Sequence, residues 1–144
     1  MTDTVTGLVW LQDANCFGAR NYAAANRVAG ALKAGRCGLT DGSAPGDWRL
    51  PTEAEWAATI ARAVSPFGCT GGNAPSLIND PGTGCLRMGP TSFDDIQLSS
   101  YWSSRSLETN AHDAWGADLL NGDVNSTQIS KSTSRFVSPV RGVQ

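Results

Sequence analysis

The sequence predicts an α+β domain, and three observations carry that prediction. Two stretches with helical hydrophobic spacing lie in the first half, short strand-like runs fill the last third, and one further strand-like run, Val5-Thr6-Gly7-Leu8-Val9-Trp10, precedes the helices. Helices and strands segregated in this way build α+β folds rather than alternating βαβ units. The opening run is expected to pair with the last strand and so bring the two ends of the chain together.

Each element has its own signals. Asn15-Cys16-Phe17-Gly18 reads as a turn, after which Tyr22, Ala25, Val28, Ala29 and Leu32 recur at the spacing of one helix face. Asn21 is placed to cap that helix, Arg20, Arg27 and Lys33 fall on or near its polar side, and Gly35 is placed to end it. A turn-rich loop, Leu39 to Gly46, leads to the second helix. There Thr52 and Glu55 form a capping box, in which the hydroxyl accepts from the amide three residues on and the carboxylate accepts from the cap amide. Trp56, Ile60, Ala63 and Val64 supply the buried stripe, and the helix should stop near Ser65-Pro66.

From Gly68 to Gly89 the chain is rich in Gly, Pro, Asn and Asp and reads as a long irregular loop, a kind of segment that is often functional. A twisted antiparallel sheet with the two helices packed on it is then expected, with strands at Tyr101–Ser104, Ala114–Leu119, Val124–Ser130 and Arg135–Arg141. Asn121-Gly122 suits a tight type I′ hairpin turn, which needs positive φ at both central residues.

The whole of residues 1–144 is read as one domain, a module of a longer exported protein. The start lacks the basic and apolar regions of a signal peptide, and no stretch approaches the roughly 20 apolar residues needed to span a bilayer, so membrane insertion is not expected. A net charge of -2 argues against nucleic acid as a partner, because phosphate binding rests on a surplus of cations. The four cysteines bracket loops. Of three connectivities, Cys16-Cys37 and Cys69-Cys85 is expected, and it implies an oxidising compartment outside the cytoplasm. No Cys-x-x-Cys knuckle is present, and the single histidine, His112, is distant in sequence from every cysteine, so a zinc site is not expected.

Five segments occur in an order that resembles a known family: Thr6-Gly7-Leu8-Val9-Trp10, Gly38-Leu39-Thr40-Asp41-Gly42, Asp47-Trp48-Arg49-Leu50-Pro51, Tyr101-Trp102-Ser103-Ser104 and Pro139-Val140-Arg141-Gly142. Together they resemble the Lcl C-terminal domain family, along nearly the whole chain. The resemblance implies a C-type-lectin-like fold, and a place at the cell surface or outside the cell as the tip of a bacterial collagen-like adhesin. It also implies a homotrimer, and binding of glycans such as sulfated glycosaminoglycans or of another surface ligand, including a protein. Arg49-Leu50-Pro51-Thr52-Glu53-Ala54-Glu55-Trp56 is also similar to the signature of formylglycine-generating and related sulfatase-modifying enzymes, which share that fold. The reactive cysteine pair of those copper enzymes lies near the C-terminal end, and here no cysteine follows Cys85. The expectation is a domain that is not an enzyme.

For ligand binding the candidates are Arg105, Asn110, His112, Asn121, Asn125, Gln128, Lys131 and Arg135, polar groups spread over the C-terminal strands. Among them, Arg105, Lys131 and Arg135 suit sulfate oxygens. Trp102 and Trp115 are expected in the core. No cofactor is expected, with structural calcium as the exception to weigh: Asn79, Asp80, Asp94 and Asp95 carry the oxygen ligands a hard cation takes. The Glu-Pro-Asn, Gln-Pro-Asp and Trp-Asn-Asp motifs of calcium-dependent sugar binding are missing. Two alternatives stand beside the adhesin reading. One is a trimerising cap of a fibre or appendage. The other is a variable target-recognition domain like those of diversity-generating retroelements, which the Ser/Asn-rich stretch from Asn121 to Ser134 would suit.

Overall fold

The computed structural model describes residues 2–3, 6–124 and 128–142. Strand β1 is Val9–Trp10 and β2 is Ala19–Arg20; helix α1 is Tyr22–Gly30 and helix α2 is Glu53–Val64. Five strands follow: β3 Ser100–Ser106, β4 Asp113–Asp118, β5 Gln128–Ser130, β6 Arg135–Phe136 and β7 Val140–Arg141. Strands β2-β6-β3-β4-β5 form the central sheet, and β1 pairs with β7 in a separate two-stranded ladder. The architecture is the expected α+β arrangement, with the first and last strands antiparallel neighbours.

Both helices begin where their side chains cap them. The Asn21 side chain accepts from the amide of Ala24, and Thr52 accepts from the amide of Glu55 while the Glu55 carboxylate accepts from the amide of Thr52. Helix α1 stops at Gly30, short of Gly35. The Leu32 amide tightens onto Ala29 O, and the chain then folds back so that the Gly46 amide reaches Gly30 O.

The strands on either side of the central sheet divide the core. One cluster gathers Trp56 and Ile60 of α2 with Trp10, Tyr101, Ala117 and Leu119; the other gathers Ala25 and Ala29 of α1 with Trp48, Trp102, Ala114 and Ile129. This is strand alternation at work, since Tyr101 and Trp102 are neighbours pointing to opposite faces. Trp56 lies between Trp10 (ring centroids 4.9 Å apart) and Tyr101 (5.7 Å), and its indole N–H donates to Trp102 O. The Tyr101 hydroxyl donates to Ala14 O, and burial pushes its pKa up to about 12. Val64 is not part of this stripe, being 38% exposed, and Thr59 takes the buried place instead.

Four further expectations change. The run 135–141 is two strands in different sheets, because Pro139 has no N–H to continue a ladder. Asn121-Gly122 is not a type I′ turn. Positive φ belongs to Gly122 (+79°) and not to Asn121, and the Asp118 carboxylate accepts from the amides of Leu120 and Asn121 to hold a wider loop. A strand from Val124 shortens to β5, with residues 125–127 outside the described residues. The sheet is mixed, since β3 meets β6 in parallel at Tyr101 and Phe136. At Gly116 an added Cβ would stand 2.6 Å from Ile129 Cδ1 and 2.9 Å from Tyr101 O, so only glycine lets β3, β4 and the Ile129 side chain pack this closely.

Both expected disulfides are present, Cys16–Cys37 and Cys69–Cys85, and all four cysteines are used. Among the described residues no helix is long and apolar enough to cross a membrane.

Candidate functional site

Strand β2, which carries no hydrophobic pattern of its own, places the site. Its two residues pair antiparallel with β6, and this sets Arg20 directly opposite Arg135. Directly opposed residues of an antiparallel pair project to the same face, where like charges destabilise. The next residues are the cap Asn21 and Tyr22, and the Tyr22 amide donates to Lys131 O at 3.1 Å. The Lys131 ammonium in turn lies 5.0 Å from the centroid of the Tyr22 ring, within cation–π range. Lys131 thus stands beside the first residue of α1, while in the adjoining ladder Arg20 Nε donates to Phe17 O at 2.8 Å and the Arg135 guanidinium donates to Ser134 O at 3.0 Å.

The ring of Tyr22 is fixed by its hydroxyl, which donates to Ser104 O at 2.8 Å, and by an edge contact with Trp102. Beside it, Asn21, Tyr22, Ala23, Ala111, His112, Ser130, Lys131 and Ser132 line an open cavity of about 490 Å³. His112 is held there by its backbone: its carbonyl accepts from the Lys131 amide, and its amide donates to Asn110 Oδ1. The hydroxyls of Ser130 and Ser132 lie 3.0 Å apart on the rim. Among the described residues, none of Arg20, Lys131 and Arg135 forms an ion pair with a carboxylate.

The eight residues expected to bind ligand divide accordingly. His112 and Lys131 line the cavity, Arg135 stands in the adjoining β2–β6 ladder, and Asn110 supports His112 while its Nδ2 donates to Asp113. Arg105 belongs elsewhere. It pairs with Glu53 at 2.8 Å and Glu108 at 3.1 Å, over the Trp115 ring at 5.8 Å, and those carboxylates hold its pKa above the usual arginine value. Gln128 is opposite Trp115 in the β4–β5 ladder, and Asn121 is tied to Asp118 at the far end of β4 from His112. Asn125 lies outside the described residues. Trp102 is fully buried as expected, whereas Trp115 is only partly buried. Tyr22, which lines the cavity, and Arg20, in the adjoining ladder, are not among the residues the sequence singles out for a ligand. The clue within the sequence was that Arg20 adjoins a helix cap, yet its partner Arg135 is remote along the chain.

The residues weighed for calcium are engaged in holding loops. Asn79 bonds Thr83 and Gly89 O, Asp80 accepts from the amide and hydroxyl of Ser92, Asp94 accepts from Gln12, and Asp95 accepts from Asn15 and Gln97. Among the described residues no group of three or more His, Cys, Asp or Glu could hold a metal ion.

A cavity with positive charge, hydroxyls and a partly buried tyrosine ring can bind an anionic, hydroxyl-rich ligand by charge-assisted hydrogen bonds. The model of one protein family, described as the Lcl C-terminal domain, matches residues 1–141. No curated protein and no solved structure matches the chain.

Proposed function

The chain belongs to the Lcl C-terminal domain family, and from that premise we propose that it is a non-enzymatic recognition domain that binds glycans, sulfated ones above all, at the cell surface or outside the cell. The observation that carries this reading is Lys131 on the wall of a cavity that Tyr22 also lines, with Arg20 and Arg135 opposed in the adjoining β2–β6 ladder. A protein of net charge -2 that nevertheless keeps three cations together without carboxylate partners among the described residues has a local preference for anions. Guanidinium forks suit sulfate, and an aromatic ring suits a sugar face. Two disulfides fit an oxidising compartment.

The test is retention on sulfated and neutral glycan surfaces across a salt series, with the mass in solution measured alongside. Retention on the sulfated surface should fall with salt, and its logarithmic salt slope should drop by roughly one for each of Arg20→Ala, Lys131→Ala and Arg135→Ala, as counterion release requires of a polyanion. Arg105→Ala should leave retention nearly unchanged. Retention indifferent to all three cations would sink the reading. A trimer that retains no glycan would favour the fibre cap instead.

A further inference from the structure

We propose that a second, separate site, the cleft between α2 and the loop 77–93, binds an organic ammonium group carried on an apolar or aromatic body. The cleft encloses about 490 Å³, within the roughly 300–1,000 Å³ of small-molecule sites. Trp10, Leu77 and Phe93 form its apolar floor, and all three belong to the α2-side core.

Charge selects the ligand. On the α2 wall the Arg62 guanidinium meets the Asp3 carboxylate through two bonds, 2.6 and 3.2 Å, so these two groups neutralise each other. On the opposite lip exposed Asp80 has no cationic partner among the described residues. Its oxygens accept only from the neutral amide and hydroxyl of Ser92, at 2.9 and 2.7 Å, and each keeps a lone pair for a further donor. Asp80 thus places, among the described residues, a negative charge without a cationic partner beside an apolar floor, which complements a single positive charge on an apolar body.

The lip is built in advance of any ligand. Buried Asn79 bonds Thr83 and Gly89 O, the Asp80 amide donates to Pro90 O, the Leu86 amide donates to Leu77 O, and the Cys69–Cys85 disulfide closes the loop behind. A wall fixed in this way lowers the ordering cost of binding. Thr59, 8% exposed and one helical turn from Arg62 on the α2 wall, has a buried hydroxyl without a protein partner, and of the side chains with such an atom it is the one that lines this cleft.

The experiment is an amide and indole NMR titration of the domain with phenethylamine, with phenethyl alcohol as the neutral counterpart. Phenethylamine is expected to shift the Trp10 indole and the amides of Thr59, Asp80 and Phe93 together, with an affinity about tenfold above that of the alcohol, the size of one charge-assisted hydrogen bond. Asp80→Asn keeps the shape and the bond from the Ser92 amide, with the bond to the Ser92 hydroxyl reversed in direction, and should bring the amine down to the affinity of the alcohol; Asp80→Glu should restore part of the difference. The proposal is overturned by any of three results: shifts mapping outside the cleft, alcohol and amine binding equally, or Asp80→Asn leaving the amine unaffected. Calcium moving the same resonances without competition from the amine would also overturn it. None of these outcomes bears on retention by sulfated glycans, so the two readings fail independently.

Discussion

Around α2, Arg49, Arg62 and Arg105 each meet a carboxylate at 2.6 to 2.8 Å; around α1, Arg20, Lys131 and Arg135 meet none among the described residues. The faces differ in their cysteines as well. Cys69 and Cys85 are 0% and 3% exposed within the α2 half, while Cys16 and Cys37 are only partly buried beside α1. The packing, by contrast, is alike, with a tryptophan at the centre of each core cluster. The comparison separates two jobs of charged side chains. Where cations are paired they orient helices and loops, and where they are left together they are available to a ligand.

The largest expected effect concerns what the faces share. Trp56→Ala and Trp102→Ala should each lower stability by about 3–5 kcal/mol in urea unfolding, because each empties a full aromatic site. A cost below about 1 kcal/mol for either would mean that its face is not part of a common core.

The disulfides should separate the faces. Replacing Cys69 and Cys85 by alanine should cost about 3 kcal/mol for a loop of this length. Brief mild reduction followed by alkylation should label Cys16 and Cys37 well before the buried pair, as mass mapping would show. Simultaneous labelling of all four would break the comparison.

Acid should act on the α2 face. Burial, the largest influence on Glu55, pushes its pKa up, but hydrogen bonds from Arg49 and from the Thr52 amide together outweigh it and leave the carboxyl below its ordinary value. A depressed pKa contributes stability that is present above the unfolded value, about 4.3, and lost as pH falls through the folded one. Glu55→Gln should therefore cost about 1 kcal/mol near neutrality and flatten the stability profile below pH 4, read by thermal melts across pH. An unchanged profile would remove Glu55 from the account of α2.

The smallest effect has the opposite sign. Arg20→Thr relieves the like charges opposed across β2 and β6 and should raise stability by a few tenths of a kcal/mol, whereas Arg62→Gln should lower it. Loss of stability on Arg20→Thr would show that the two arginines are not in repulsion.

What was legible in the sequence followed local rules. The capping box, the Asn21 cap, the disulfide pairing and the tryptophan at the start of α2 each declare themselves within a few residues or by simple bracketing. Features that depend on long-range pairing did not. Ala19–Arg20 has no strand pattern and becomes β2 only because residues 135–136 arrive beside it. The irregular register between Trp102 and Ser106 contains a side-chain bond across the strands, with the Trp115 carbonyl accepting from Ser103 Oγ. Arg105 looked like a free cation because Glu53, 52 residues away, could not be seen to meet it. The cluster around α1 was half legible for the same reason, since Lys131 and Arg135 were read as candidates and Arg20 was not.

The antiparallel pairing of β1 and β7 also decides how the domain would respond to tension. Val9 faces Arg141 and Trp10 faces Val140, so a pull applied through the two flanking segments opens the ladder one pair at a time, like a zipper, rather than shearing all its bonds at once. Beyond that point the stretches 16–37 and 69–85 cannot lengthen, because each is clamped by its own sulfur bridge. Of the residues at the candidate glycan site, Arg20 and Tyr22 lie inside the first clamp while Lys131 and Arg135 lie in neither, so under load the two sets are joined by the β2–β6 ladder and the bond from the Tyr22 amide to Lys131 O.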